Sequence, residues 1–255
     1  MAFDGITVAA LVQELRNTLL DGRINKIAQP ESDELLLTFK TTQGQKRLYI
    51  SASASLPLIY LTDENKPSPM TAPNFCMLLR KHINNGRIVD ISQPKLERII
   101  HFDVEHLDEL GDLCRKRLVV EIMGKHSNII FCNDQGMILD SIKHVSAHMS
   151  SVREVLPGRD YFIPDTMNKL DPLHTDCNTF VTALKEKPMA LSKAIYTSFT
   201  GVSPVAAEEI CYRAGLESAM NANDLSDDFL THLYNQFAIF FEAIENGTYA
   251  PVIYF

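Results

Sequence analysis

The stretch QPKLERIIHFDVEH, residues 93–106, decides the reading of this chain's fold. Ile100, Phe102 and Val104 alternate with His101, Asp103 and Glu105, the period-two pattern of a strand with one buried face and one wet face. The expected strand runs from Arg98 to His106. At its entrance Glu97 and Arg98 set opposite charges side by side. Strand neighbours point to opposite faces, so the two are not expected to pair with each other. Each must meet solvent, another side chain or a ligand.

Outward from this strand the pattern stays extended. Ile88 to Ser92 and Arg117 to Met123 read as strands, and NIIFCNDQGMILDSI reads as a hairpin turning at Asn133-Asp134-Gln135-Gly136. Towards the amino terminus, 23–29, 35–40 and KRLYIS read as strands, with TTQGQ at 41–45 as a hairpin turn. The proline-bearing loop 63–73 leads into a short helix, NFCMLLRKHI, that stops at Asn84-Asn85-Gly86. Residues 7–21 form an amphipathic helix through Val8, Leu11, Val12, Leu15 and Leu19. Asp4 or Thr7 caps its start and Gly22 supplies the left-handed stop. Seven or eight strands with helices grouped at either end predict an α+β domain built on an antiparallel sheet or sandwich.

The texture changes at LPGRDYFIPD, 156–165. Residues 177–198 and 204–214 read as helices joined by FTGVSP, where Gly201 permits a tight turn, Ser203 caps and Pro204 suits the first helical position. A further helix at 226–246 is amphipathic through Phe229, Leu233, Phe237, Phe240 and Phe241. The tail PVIYF reads as a strand. The expected division is therefore a sheet domain at 1–170 and a helical domain at 171–255.

Composition narrows the function classes. With 45% apolar residues among 255, the chain can bury a sizeable core, and no run reaches the length of a membrane span. The amino terminus lacks the early positive charge of a signal peptide, which predicts a cytoplasmic protein without a membrane partner. Cys76, Cys114, Cys132, Cys177 and Cys211 are odd in number and widely spaced, so reduced thiols are expected, with no metal site and no cofactor. The net charge of −8 is unevenly spread: residues 1–170 hold 20 Lys and Arg against 21 Asp and Glu, and residues 171–255 hold 4 against 11. Basic residues gather within 76–130, at Arg80-Lys81-His82, Arg87, Lys95, Arg98, Arg115-Lys116-Arg117 and Lys125-His126. These positions could form one local patch or ordinary solvated faces.

The segment EIMGKHSN, 121–128, concentrates polar chemistry at the end of a strand. Adjacent Ser and His cannot make nucleophile-to-base geometry, and no G-x-S-x-G turn is present, which argues against a hydrolase. Ser127 and Asn128 can serve turn hydrogen bonds. Lys125 and His126 can instead contact phosphate.

MAFDG, DGRINKIAQP at 21–30, FCMLLRKHI at 75–83, LERII at 96–100, ELGD at 109–112, EIMGKHSNII at 121–130, DSIKHVS at 140–146, VLPG at 155–158 and FTGVSP together resemble the N-terminal part of the NFACT family. The resemblance is collinear over essentially the whole chain. It implies an N-terminal domain similar to that of formamidopyrimidine-DNA glycosylases, β-sandwich-like, followed by a helical domain with a helix–hairpin–helix motif. It also implies a non-enzymatic, ribosome-associated quality-control factor. Such a factor binds tRNA, alanyl-tRNA in bacteria, on a large ribosomal subunit obstructed by peptidyl-tRNA, and promotes template-free alanine tailing of the stalled chain. The peptide bond is the ribosome's work. The glycosylases need an N-terminal proline amine and a neighbouring glutamate, whereas this chain begins Met1-Ala2-Phe3-Asp4, so base excision is not expected. A second attribution implied by the resemblance is fibronectin binding. The family's functional positions fall on Asp4 and on an Asp-Arg pair that here is Glu97-Arg98, one methylene longer in its acid. Arg80, Lys81, Lys125 and His126 are further expected RNA-backbone contacts, Lys125 standing where many relatives have arginine. For the Gly201 hairpin, phosphate binding and simple packing both remain open.

Overall fold

A computed structural model describes residues 3–165 and 167–251. Met1, Ala2 and residues 252–255 of the terminal strand expected at 251–255 lie outside the described residues. The chain divides into two compact units, each discontinuous in sequence. A sheet unit comprises Leu11–Pro94 and Arg98–Pro164, and a helical unit comprises Met1–Ala10, Lys95–Glu97 and Asp165–Phe255. The observed change near 165 lies a few residues before the boundary expected at 170, and the short segments 1–10 and 95–97 pack with the helical residues. No linear reading of composition exposes that exchange.

The sheet unit is a nine-stranded antiparallel sheet, which fulfils the α+β expectation. Its strands are β1 (Arg23–Ala28), β2 (Glu34–Thr41), β3 (Gly44–Ser51), β4 (Leu58–Thr62), β5 (Arg87–Ser92), β6 (Ile99–Leu107), β7 (Leu113–Glu121), β8 (Asn128–Asn133) and β9 (Ile138–Ser141). The order is β4-β3-β2-β1-β5-β6-β7-β8-β9, and β1 meets β5 through the single registered pair Arg23 and Arg87. Strand β4 had no counterpart in the periodicity, because Pro57 immediately precedes it and LIYLT alternates poorly. On one face, Leu35, Leu37 and Phe39 of β2, Ile100, Phe102 and Val104 of β6, and Leu118 and Val120 of β7 are nearly inaccessible. Each such large side chain stabilises the fold by about 1.5–3 kcal/mol.

Helix α1 (Gly5–Leu19) begins two residues earlier than expected and contributes its residues from Leu11 onward to this unit. Its left-handed exit is Asp21, at φ 63°, and not Gly22. Gly22 is kept small for another reason: a Cβ there would lie 2.9 Å from the Leu19 carbonyl oxygen. Helix α2 (Asn74–Ile83) has the expected bounds, and its chain reverses at Asn85, φ 64°. A strap at 145–163 covers the other face of β6 to β9. Val145, Val155, Tyr161 and Ile163 pack there on Ile99, Val119, Ile130 and Ile138. That face is thus buried at its strap end and polar elsewhere.

The helical unit contains α3 (Cys177–Lys185), α4 (Leu191–Ser198), α5 (Pro204–Arg213) and α6 (Asp227–Glu245). The expected single helix at 177–198 is broken into α3 and α4, with Pro188 in the break. Proline has no N–H to donate and its ring collides with the carbonyl four residues back. Ser203 caps as expected, accepting from Ala206 N at 3.2 Å, and Asp176 and Ser226 cap in the same way, accepting from Thr179 N at 2.8 Å and from Phe229 N at 3.4 Å. Phe180, Phe199 and Phe237 form the centre of the core, with ring centroids 4.7–5.4 Å apart. Leu96, Ile6 and Ala9 pack into the same core. Phe229, expected to face inward, is 54% exposed, and Leu230 takes the buried position.

Candidate functional site

In the helical unit three backbone segments cross within van der Waals distance. Gly5 N donates to Gly201 O at 2.9 Å. A Cβ on Gly5 would fall 2.0 Å from Leu96 O and 2.6 Å from Gly201 Cα, and one on Gly201 would fall 2.2 Å from Leu96 O. Only glycine fits either position, and Gly201 also holds φ 76°. The crossing fixes what stands beside it. Asp4 precedes Gly5 and accepts from Thr7 N at 2.8 Å, capping α1. Glu97, half-buried, follows Leu96. On the third segment Val202 is buried, and Ser203 spends its hydroxyl on the cap of α5. At this turn the α-carbon of Gly201, Val202 and the Ser203 hydroxyl are thus taken up by packing and capping.

In the sheet unit, Arg98 is exposed and lies in a bend just before β6, which begins at Ile99. Alternation between strand faces does not govern the Glu97-Arg98 pair, because neither residue is in a strand. The Arg98 carbonyl accepts from Ile122 N at 2.8 Å, so the bend lies against the start of the EIMGKHSN segment. That segment is built from within. Ser127 Oγ accepts from Met123 N at 2.8 Å, and Asn128 Oδ1 accepts from Ile129 N at 2.9 Å and from Lys143 N at 3.1 Å. Both residues are buried. Between them a 3-10 turn, Gly124–His126, puts Lys125 and His126 at the surface. The side chains of Arg98, Lys125 and His126 make no hydrogen bond or ion pair to any described residue. Three donor groups are thus left for something else at one end of β6 and β7.

Arg80 and Lys81 do not join them. Arg80 Nε donates to Ile27 O at 2.9 Å, and Lys81 Nζ lies 3.2 Å from Glu109 in the β6–β7 hairpin. That hairpin is at the far end of β6 from Arg98, roughly 26 Å away at strand rise.

Glu121 serves the fold. It is 1% exposed, its carboxylate meets Arg153 Nη2 at 2.5 Å and it accepts from Tyr161 Oη at 2.9 Å. Burial and the Glu121 carboxylate push the Tyr161 phenol far above its ordinary range. Arg153 and Tyr161, which anchor the strap, carried no sequence signal because their partner is more than thirty residues away. All five cysteines are free thiols, and burial pushes Cys132 up to about 12. Among the described residues no group of three His, Cys, Asp or Glu side chains is placed to hold a metal ion, and no helix is long and apolar enough to cross a membrane.

The family model "NFACT N-terminal and middle domains" matches residues 4–255. The chain is 39% identical over 217 residues to the Rqc2 homolog RqcH of Bacillus subtilis, covering 85% of this chain and 38% of that protein. The solved N-terminal structure of the fibronectin/fibrinogen-binding protein from Streptococcus suis is 32% identical, with a TM-score of 0.77 over 92% of this chain and 84% of that one. The chain thus spans well under half the length of the curated bacterial relatives it matches. The MutM (Fpg) protein of Thermus thermophilus aligns over 96% of this chain and 77% of that one, at 14% identity and a TM-score of 0.46, and nothing about base excision transfers at that level. On the family model and the relatives' identity, this chain belongs to the NFACT family.

Proposed function

We propose that this chain is the tRNA-gripping part of an RqcH-type ribosome quality-control factor. In this reading it acts in the cytoplasm with a large ribosomal subunit that carries peptidyl-tRNA. It holds an incoming alanyl-tRNA and so promotes template-free alanine tailing of the stalled chain. The ribosome makes the peptide bond, and the protein contributes position and charge. The observation that carries the reading is the placement of Arg98, Lys125 and His126. All three are exposed at one end of β6 and β7, with side chains unpaired to any described residue, in a chain 39% identical to an Rqc2 homolog. A guanidinium can take a phosphate through two parallel hydrogen bonds, and Lys125 adds a point charge beside it. Glu97 serves as the supporting acid, and Asp4 orients the first turn of α1.

Arg98→Ala in the full-length protein is expected to weaken tRNA binding about tenfold or more, the loss of a charge-assisted bidentate contact. Alanine tailing on stalled subunits should fall with it. Normal tailing by this variant rules out the assignment of Arg98. A second reading is favoured by the solved relative described as a fibronectin/fibrinogen-binding protein. Retention of labelled fibronectin by the purified protein, with no retention of tRNA, selects that reading.

A further inference from the structure

The strand register aligns a row of charges on one face of the sheet that the site above does not use. Lys40 of β2 is directly opposite Arg23 of β1, Arg23 is opposite Arg87 of β5, Arg87 is opposite Glu105 of β6, and Glu105 is opposite Arg115 of β7. Directly paired residues on antiparallel strands point to the same face, so these five side chains form one line across five strands. At ordinary strand spacing the line is about 19 Å long. All four cations are exposed.

The order within the row is the informative part. Arg23 has a cation opposite it on each side, Lys40 on β2 and Arg87 on β5, with no acid between them. Like charges directly opposite each other weaken a sheet, so stability alone does not account for that placement. Farther along, one carboxylate is shared: Glu105 meets Arg87 Nη2 at 2.8 Å and Arg115 Nη2 at 2.9 Å, while Arg87 Nη1 is 3.3 Å from Asp21. The two guanidiniums hold the Glu105 carboxyl below its ordinary range. Glu105 therefore stays ionised and locks two guanidiniums in place. Arg23 Nη1 donates to Asn85 O at 3.1 Å, which fixes a third, and Lys40 has no partner among the described residues. The row thus has three held guanidiniums and the lysine Lys40, four bases against two acids, Glu105 within the row and Asp21 beside it.

We infer that this row, Lys40-Arg23-Arg87-Arg115, is a second contact surface for the phosphate backbone of RNA. It rests on the reading that the protein binds RNA. Four exposed cations on one line, three of them held in place, suit the successive phosphates of a backbone, and the row is not expected to read sequence, because charge contacts to phosphate carry no base information.

The test compares full-length protein with the Lys40→Gln/Arg23→Gln double variant, measuring tRNA affinity as a function of salt and thermal stability in parallel. Losing two phosphate contacts is expected to reduce the slope of log K against log salt by about 1.4–1.8. The melting midpoint should stay level or rise, because a like-charge pair is relieved. A structural role predicts the opposite, a lower midpoint. If the midpoint falls, Lys40→Gln alone must still reduce the slope by about 0.7–0.9, and an unchanged slope then overturns the row. Tight wild-type binding with an unchanged slope in the double variant also overturns the row and leaves the RNA reading standing. A wild-type protein that binds no RNA overturns both. Loss of binding confined to a poly-glutamate probe assigns the surface to an acidic protein and overturns the RNA assignment.

Discussion

Two glycines show what single residues decide here. Gly201 was legible, because a glycine between two helical patterns, followed by a serine and a proline, signals a tight turn whatever lies around it. Gly5 was not: its lack of a side chain matters only because the carbonyl of Leu96, ninety-one residues later, comes to 2.0 Å from where a Cβ would sit. Asp4 was legible as a cap and serves as one. The Glu97-Arg98 pair was found by resemblance, and its local structure was read wrongly, because strand alternation was extended one residue beyond the point where the ladder begins. Gly5→Ala or Gly201→Ala is expected to destabilise the protein by at least about 3 kcal/mol, since backbone and not a flexible side chain must move, and for Gly201 the left-handed φ adds strain. The melting midpoint should fall by about 6 °C or more. Gly111→Ala is the control. Gly111 holds φ 89° with nothing within 4 Å of the added carbon, so only the roughly 1 kcal/mol backbone penalty applies. Equal midpoints for Gly5→Ala and Gly111→Ala would remove the crossing from the account.

Elements were legible where the periodicity was strong and short-ranged. The alternation of β6, the cap of α5 and the bounds of α2 follow from neighbouring residues. The break at Pro188 is just as local, although the helical pattern of 177–198 hides it, whereas the outward turn of Phe229 depends on where the helix is packed. The strap at 145–163 is the clearest case of structure without a local signal: it is held by Arg153 and Tyr161 on the buried Glu121. Beneath it His101 is packed edge-on against Tyr161 at 6.3 Å, with a buried Nε2 that has no hydrogen-bond partner among the described residues. Burial first, then the nearby Arg117 charge, lower the His101 pKa from 6.5 to about 4. The unfolded chain therefore takes up a proton near pH 6.5 while the folded chain does not take one until near pH 4. Because the unfolded state binds more protons in that interval, stability falls as pH drops from about 6.5 towards 4, and the loss levels off below it. His101→Phe keeps an aromatic ring and removes the titration. Its melting midpoint is expected to change less than the wild type's between pH 6.5 and 5, a window above most carboxylate titrations. Parallel curves for the two proteins would show that His101 does not carry this pH dependence.

For the molecule as a whole, the α+β class was legible from the order of patterns and the discontinuity of the units was not. The helical unit takes residues 1–10 and 95–97 from positions that read, in sequence, as parts of a helix and a strand entrance. Those segments are small but central. Leu96 is 1% exposed within the helical core, Ile6 and Ala9 pack against the same core, and Gly5 donates the hydrogen bond to Gly201. Burying Leu96 alone is worth about 1.5–3 kcal/mol, and the hydrogen bond adds about 1 kcal/mol. A typical domain has only about 5–15 kcal/mol to lose. The fragment 165–255, made alone, keeps α3 to α6 and the Phe180-Phe199-Phe237 cluster but leaves a slot where Leu96 belongs. It is therefore expected to retain helical circular dichroism while melting broadly and binding a hydrophobic dye, as a compact state without fixed packing does. Leu96→Ala in the full-length protein should destabilise by about 2–5 kcal/mol through the same slot, with the segments still covalently present. If the isolated fragment melts sharply, at the temperature of the helical unit in the full-length protein, then residues 1–10 and 95–97 are ornaments on an independent helical domain. If both the broad melt and the Leu96→Ala loss are seen, the helical unit depends on the residue that immediately precedes Glu97 and Arg98. The fold and the proposed tRNA contact would then be set by the same short stretch of chain.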